Sequence, residues 1–183
     1  MKRLFLFILL IFVWATANAE KLDKPYTVGV GWYTVKIDYV AVDTDFDFSG
    51  FSLSMSQAFS DNWLIRGTLF SLENDSVSSV DSEGYDLVLY FGKGFVSQGF
   101  KAYVGGGFGK DTIEGVLMGL SFKESGSGFQ LSGGIGYNWN RVALDFTIGI
   151  RDPDDYEKAI KNVTGVDVSV DAYSGALSVS YRF

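Results

Sequence analysis

The chain has 183 residues, 47% of them hydrophobic and 16% aromatic, with 22 Gly, 2 Pro and neither Cys nor His. Without Cys there is no disulfide scaffold, thiolate metal site, thiol nucleophile or lipidated-Cys anchor, and without His most hydrolase triads and most transition-metal sites are excluded. The formal net charge of −7 is the wrong sign for holding nucleic acid phosphates, and it grows more negative once a leader carrying Lys2 and Arg3 is removed.

That leader comes first in the chain. Lys2 and Arg3 form a short positive region, Leu4 to Trp14 is an unbroken apolar run, and Ala17-Asn18-Ala19 is a small-x-small cleavage site before Glu20. This is the pattern of a cleaved secretory signal peptide over residues 1–19, leaving residues 20–183 as one exported domain. The apolar run is too short for a membrane-spanning helix, which needs about 20 apolar residues.

From residue 25 onward the chain alternates apolar with small or polar residues. Val142-Ala143-Leu144-Asp145-Phe146-Thr147-Ile148-Gly149-Ile150-Arg151 is the clearest case, and a period of two means strand. Eight such segments are predicted, at about 26–41, 48–59, 63–72, 84–95, 100–110, 128–139, 142–151 and 169–183. Most are longer than strands of soluble domains, about five or six residues. They match the nine to eleven or so that a tilted membrane strand needs. Strand one breaks phase: Val28, Val30 and Trp32 share one parity, Tyr33, Val35, Ile37 and Tyr39 the other. A β-bulge near Trp32, or a misplaced strand start, accounts for this.

The connections alternate between tight turns (60–62, 96–99 and at Asn140) and longer loops (about 42–47, 73–83, 111–127 and 152–168), which hold most of the acid. Short turns at one end and long loops at the other mark bacterial outer-membrane barrels. Asp152 to Lys161 reads as a short helix, with an Asp cap, Pro at the first helical position, and acids before lysines. Val116, Met118, Leu120 and Phe122 alternate within the third loop; they either extend strand five or add strands to make ten. The segment Asp43-Thr44-Asp45-Phe46-Asp47 hints at Ca²⁺, but Phe48 and Ser54 stand where an EF-hand needs Gly and Glu, so it reads as a solvated acidic loop.

A sheet in lipid cannot leave an open edge, so the expected fold is all-β: a closed antiparallel up-and-down transmembrane β-barrel, with eight strands favoured and the apolar face outward. Phe59, Trp63, Phe95, Phe100, Trp139, Tyr181 and Phe183 lie beside the short turns or the C-terminus and are expected to form an aromatic girdle at that end. Phe48, Tyr85, Phe108, Phe129 and Tyr173 are expected to ring the other.

The chain ends in Tyr181-Arg182-Phe183, with apolar residues at alternate steps back from the terminal Phe, and carries the Gly-rich strand Ala102-Tyr103-Val104-Gly105-Gly106-Gly107-Phe108-Gly109. In these features it resembles the small outer-membrane β-barrel family of OmpA/OmpX-like porin-fold proteins, over essentially residues 20–183. The resemblance implies a Gram-negative outer-membrane location. It implies recognition by the barrel-assembly machinery through Tyr181 and Phe183, and contact with outer-membrane lipid and lipopolysaccharide. A monomer is also implied. The peptidoglycan-binding domain of the OmpA type is not expected, since nothing follows Phe183.

Strand parity assigns eight charges to the lumen: Lys36, Asp38, Arg66, Asp86, Lys101, Asp145, Arg151 and Arg182. An eight-stranded barrel is only wide enough for side chains to fill it, so these charges are expected to pair across it. Gly and Ser are frequent on the same face (Gly105, Gly107, Gly134, Gly136, Ser52, Ser54, Ser178, Ser180), leaving room for water beside the charged chains. Known outer-membrane barrel enzymes resemble one another in needing a His beside a Ser or Asp, and adjacent residues such as Asp154-Asp155 do not normally converge, so no catalytic residue, cofactor or metal site is expected. Two functions follow. One is a structural or surface-interaction barrel with a plugged lumen and acidic loops. The other is a narrow porin-like channel lined by the same charges. A soluble lipid-binding barrel would reverse the polarity and leave the girdle without purpose.

Overall fold

The computed structural model describes residues 23–39, 45–75, 80–117, 120–154, 157 and 169–183. The leader, parts of the long loops and the first two residues of the Ca²⁺-like segment lie outside them. Eight strands follow one another: β1 (Tyr26–Tyr39), β2 (Asp45–Ala58), β3 (Trp63–Asn74), β4 (Val80–Lys93), β5 (Gly99–Leu117), β6 (Leu120–Asn138), β7 (Val142–Arg151) and β8 (Val170–Arg182). Each pairs antiparallel with the next, and β1 pairs with β8, which closes the barrel and leaves no edge in lipid. The last turn of that seam is a reciprocal bond pair between the Tyr26 and Phe183 backbones, 3.0–3.1 Å, under a Tyr26–Phe183 ring stack.

The third long loop is neither a plain loop nor an added strand pair. It continues β5 and β6 outward as one ladder, with Glu114 opposite Lys123 and Leu117 opposite Leu120. The helix expected at 152–161 falls largely outside the described residues. Within them, the Asp154 amide donates to the Asp152 carboxylate and the Glu157 amide to the Pro153 carbonyl, the bonds of a capped first turn.

Strand β1 contains no bulge. Its register runs unbroken from Tyr26 opposite Gln57 to Asp38 opposite Asp45, and equally along β8. The phase change is real, but its cause is the surroundings. Val30 and Trp32 face outward into lipid, while Tyr33, Val35 and Ile37, of the other parity, are buried inside the barrel. The same switch occurs along other strands. Phe51, Leu53 and Met55 point out of β2 while Phe48 points in; Leu177, Val179 and Tyr181 point out of β8 while Val170 and Ala172 point in. Below the switch the apolar side meets hydrocarbon. Above it the wall stands in water, and the apolar side turns inward to make an ordinary core.

Two expectations are corrected by this. Lys36 and Asp38 share the parity of Trp32 and so lie on the outer, water-facing wall, where they pair with each other at 2.9 Å; they are not lumen charges. Phe48 is buried in the upper core and is not part of an outer ring, whereas Phe108, Phe129 and Tyr173 are exposed on the outside.

The lower girdle is similarly divided. Phe59, Trp63, Phe100, Trp139, Tyr181 and Phe183 are all exposed on the outside at the short-turn end. Phe95 is not: it is 4% exposed and points into the barrel against Tyr103. Its turn begins at Gly94 and ends at Gly99, with φ of +88° and +115°. In that region glycine carries no steric penalty, and the turn folds back beneath the lumen.

Candidate functional site: the lumen

Inward side chains fill the barrel in layers. At the short-turn end Ala58, Leu64, Val88, Tyr90, Phe95 and Tyr103 make a buried apolar cluster. Interleaved with it is the first ion cluster. Asp145 of β7 accepts from Lys101 of β5 at 2.8 Å, from Arg66 of β3 at 3.2 Å and from the Tyr103 hydroxyl at 2.6 Å. The Arg66 guanidinium also lies over the Tyr90 and Tyr103 rings, 5.4 and 5.5 Å from their centroids. One carboxylate thus joins three strands across the lumen, where bulk water cannot solvate it.

The second ion cluster lies nearer the long-loop end. Arg151 of β7 donates to Asp86 of β4 at 2.6 Å and to Asp111 of β5 at 3.3 Å. It also donates to the Tyr33 hydroxyl at 2.9 Å, and that hydroxyl in turn donates to Asp86. Tyr33 stacks on Phe70 at 4.7 Å, and Arg151 lies 5.4 Å from the Phe70 centroid. Above this cluster the upper apolar core closes the barrel, with Val35, Ile37, Phe48, Leu72, Val80 and Val170 at its centre.

Between the two ion clusters is a cavity of about 30 Å³. Ser52, Ser54, Thr68, Ser132 and Ser178 line it, together with Gln130 and parts of Arg66 and Asp86. It has room for about two waters. The inward glycines serve a different purpose from the one expected. A Cβ on Gly134 would meet the Tyr103 ring at 2.7 Å, one on Gly105 the Tyr90 ring at 2.6 Å, and one on Gly136 the Lys101 chain at 2.6 Å. Their missing side chains are therefore occupied by large neighbours laid across the adjacent strand, more than by water.

Arg66, Asp86, Lys101, Asp145 and Arg151 thus come together in two groups, whereas Lys36 and Asp38 join neither. Arg182 points inward at the short-turn mouth and meets carbonyls, those of Trp139 at 2.6 Å and of Val96. Sequence reasoning missed Asp111, which it left in a loop; the alternation of Asp111 and Ile113 with Gly109 was the available signal. It also missed Tyr33, Tyr90 and Tyr103, because inward aromatics look like lipid-facing ones until the parity of their strand is known. Among the described residues no group of three acids is gathered to hold a metal ion.

A closed barrel with an apolar outer belt and a packed polar lumen defines an integral β-barrel of the bacterial outer membrane. This chain belongs to the outer membrane protein beta-barrel domain family, whose profile matches residues 5–183. Among solved structures it is similar to Ail, the attachment invasion locus protein of Yersinia pestis, at 15% identity and a TM-score of 0.60, covering 88% of this chain and 100% of that one. It is also similar to Neisserial surface protein A, at 12% identity and a TM-score of 0.62, covering 87% and 97%. A third is the outer membrane protein OprG of Pseudomonas aeruginosa, at 13% identity and a TM-score of 0.56, covering 88% and 97%. At these identities the likeness is one of fold. No curated protein matches the chain.

Proposed function

We propose that this protein is a non-catalytic barrel whose lumen is shut by its own side chains and whose role is structural or one of surface interaction. The observation that carries this reading is the pair of cross-lumen ion clusters, Arg66–Lys101–Asp145 and Arg151–Asp86–Asp111. Each carboxylate in them is engaged by a cation, so none is left as a free acid or base, and a chain without His has no ordinary nucleophile activator. The two apolar clusters seal the ends.

Residues 1–19 are the cleaved leader in this reading, and 20–183 the mature barrel. Tyr181 and Phe183 serve the barrel-assembly machinery, the apolar belt meets lipid, and lipopolysaccharide surrounds the outer rim of a monomer. Nucleic acid is not a partner. The water-facing wall suggests which surface ligands to discount. Glu73, Asp81 and Glu114 lie directly opposite one another on β3, β4 and β5. Ail has been solved with the heparin analogue sucrose octasulfate; such a polyanion would meet like charge on that wall here.

The second reading, a narrow porin-like channel, draws on the hydroxyl-lined cavity between the clusters. Conductance of the refolded chain in a planar bilayer separates the two. An inserted but silent barrel is expected, and reproducible unitary steps would transfer the conclusion to the channel.

A further inference from the structure

The β4–β5 turn is held unlike the other short turns. Its amides are taken up by one residue: Gly94, Val96 and Ser97 donate to the Asp61 carboxylate at 3.2, 3.0 and 2.9 Å, and Phe95 donates to the Asp61 carbonyl at 3.2 Å. Its carbonyls are taken up by two others. Asn138 donates through Nδ2 to Gly94, Phe95 and Ser97 at 2.7, 3.3 and 3.1 Å, and Arg182 donates to Val96. None of these clamps belongs to β4 or β5. Asp61 is in the β2–β3 turn, Asn138 ends β6 and Arg182 ends β8. The segment therefore lies across the mouth, fastened from separate parts of the rim, with Phe95 pressed upward into the apolar cluster.

We propose that Gly94–Gly99 is a hinged flap over the periplasmic mouth of the lumen, that it opens as one unit, and that Asp61 is its latch. The two positive-φ glycines stand at its two ends, where the backbone turns most freely. Between Gly94 and Gln98 its hydrogen bonds belong to no ladder, the last β4–β5 pair being Lys93 with Ala102 and the first β5–β6 pair Gly99 with Asn138, so the flap swings from its two glycines without breaking the wall. A single carboxylate secures three amides, so losing that one side chain loosens the whole segment. Opening uncovers Lys101, which lies against Gly94, with its partner Asp145, and beside them Ala58 and Leu64 of the apolar cluster. This inference rests on the closed-lumen reading, and it adds the place where closure is reversible.

The chain has no Cys, so a single introduced thiol is an unambiguous reporter. Leu64→Cys places one in the apolar cluster that Phe95 closes. The barrel is refolded into phosphatidylcholine vesicles and exposed to a small charged methanethiosulfonate. Labelling is expected to be slow with the flap intact and about tenfold or more faster with Asp61→Ala or Phe95→Ala added. Hydrogen exchange of the residue 95–97 amides should quicken in Asp61→Ala while strand amides stay protected. Unchanged labelling in both folded variants overturns the flap, as does acceleration spread equally over the strands. Fast labelling of the Leu64→Cys protein together with bilayer conductance would instead overturn the closed-lumen reading itself.

Discussion

The lower and upper halves of this barrel use one wall in opposite ways. In the lower half the outward residues are apolar, and the inward ones mix charged, hydroxylic and small residues with one apolar cluster: Leu177, Val179 and Tyr181 face out of β8 while Ser178, Ser180 and Arg182 face in. In the upper half β1 puts Lys36 and Asp38 outside and Val35 and Ile37 inside. Backbone pairing is the same throughout, since the ladders run through the change without a bulge. Secondary structure is therefore indifferent to solvent, and the side-chain pattern alone records where hydrocarbon ends. The halves also differ in what holds them. The upper core gains from apolar burial in the usual sense. In the lower half lipid offers apolar side chains nearly what the protein does, and cross-lumen ion pairs and packing carry more of the specificity.

The sharpest way to break this contrast is to remove the carboxylate at the centre of the lower lumen. Asp145→Ala leaves Arg66 and Lys101 facing each other without their shared partner, and should cost about 3–5 kcal/mol in urea unfolding from lipid vesicles. A cost below about 1 kcal/mol would mean that water solvates the lumen and that the ion cluster is not structural.

A second substitution pair, four residues apart on one face of β1, locates the boundary. Val30→Arg puts charge into the lipid-facing belt and should cost about 2 kcal/mol, whereas Thr34→Arg, beyond Trp32, should cost less than about 1 kcal/mol. Equal costs would place both residues in the same medium and remove the explanation for the phase change.

The smallest effect concerns the short-turn rim, which belongs to neither half. Burial works to raise the Asp61 pKa, but the amides of Ser97, Val96 and Gly94 outweigh it and hold the carboxyl below its usual range. A carboxylate with a depressed folded pKa adds stability above its unfolded value, and that stability is lost as pH falls through the folded value. Asp61→Asn should therefore be less stable than the natural chain by about 1–2 kcal/mol at neutral pH. The difference should shrink once the pH drops below about 4, the ordinary Asp value. A difference independent of pH would show that the amides do not bind the charged form.

Alternation, turn length and terminal aromatics made the barrel, its closure and its outward apolar face legible from sequence. The reading failed where one period carries two meanings. Lys36 and Asp38 were assigned by the parity of their charge, but parity points to the lumen only at membrane depth. Phe95 was assigned by its place beside a turn, and nothing local distinguishes a girdle aromatic from one that its turn folds inward; only the flanking Gly94 and Gly99 hinted at that fold-back. Asp111 was hidden because β5 continues well past the membrane, so a residue taken for loop is a buried partner of Arg151. Asp61 and Asn138 act through backbone groups distant in sequence, a partnership without a motif.

The long β5–β6 hairpin has a mechanical consequence. Among the described strands, β7 accompanies β6 only as far as Gln130 opposite Arg151, while β6 itself begins at Leu120. About 30 Å of ribbon, measured along the strand, therefore projects past the end of that neighbour. Its other edge is fastened: β4 runs beside β5 as far as Val80 opposite Gly115, and Ile113 and Phe122 pack against the upper core. A load applied at the tip is therefore carried down the β4–β5 ladder into the barrel wall, as in a bracket braced along one side.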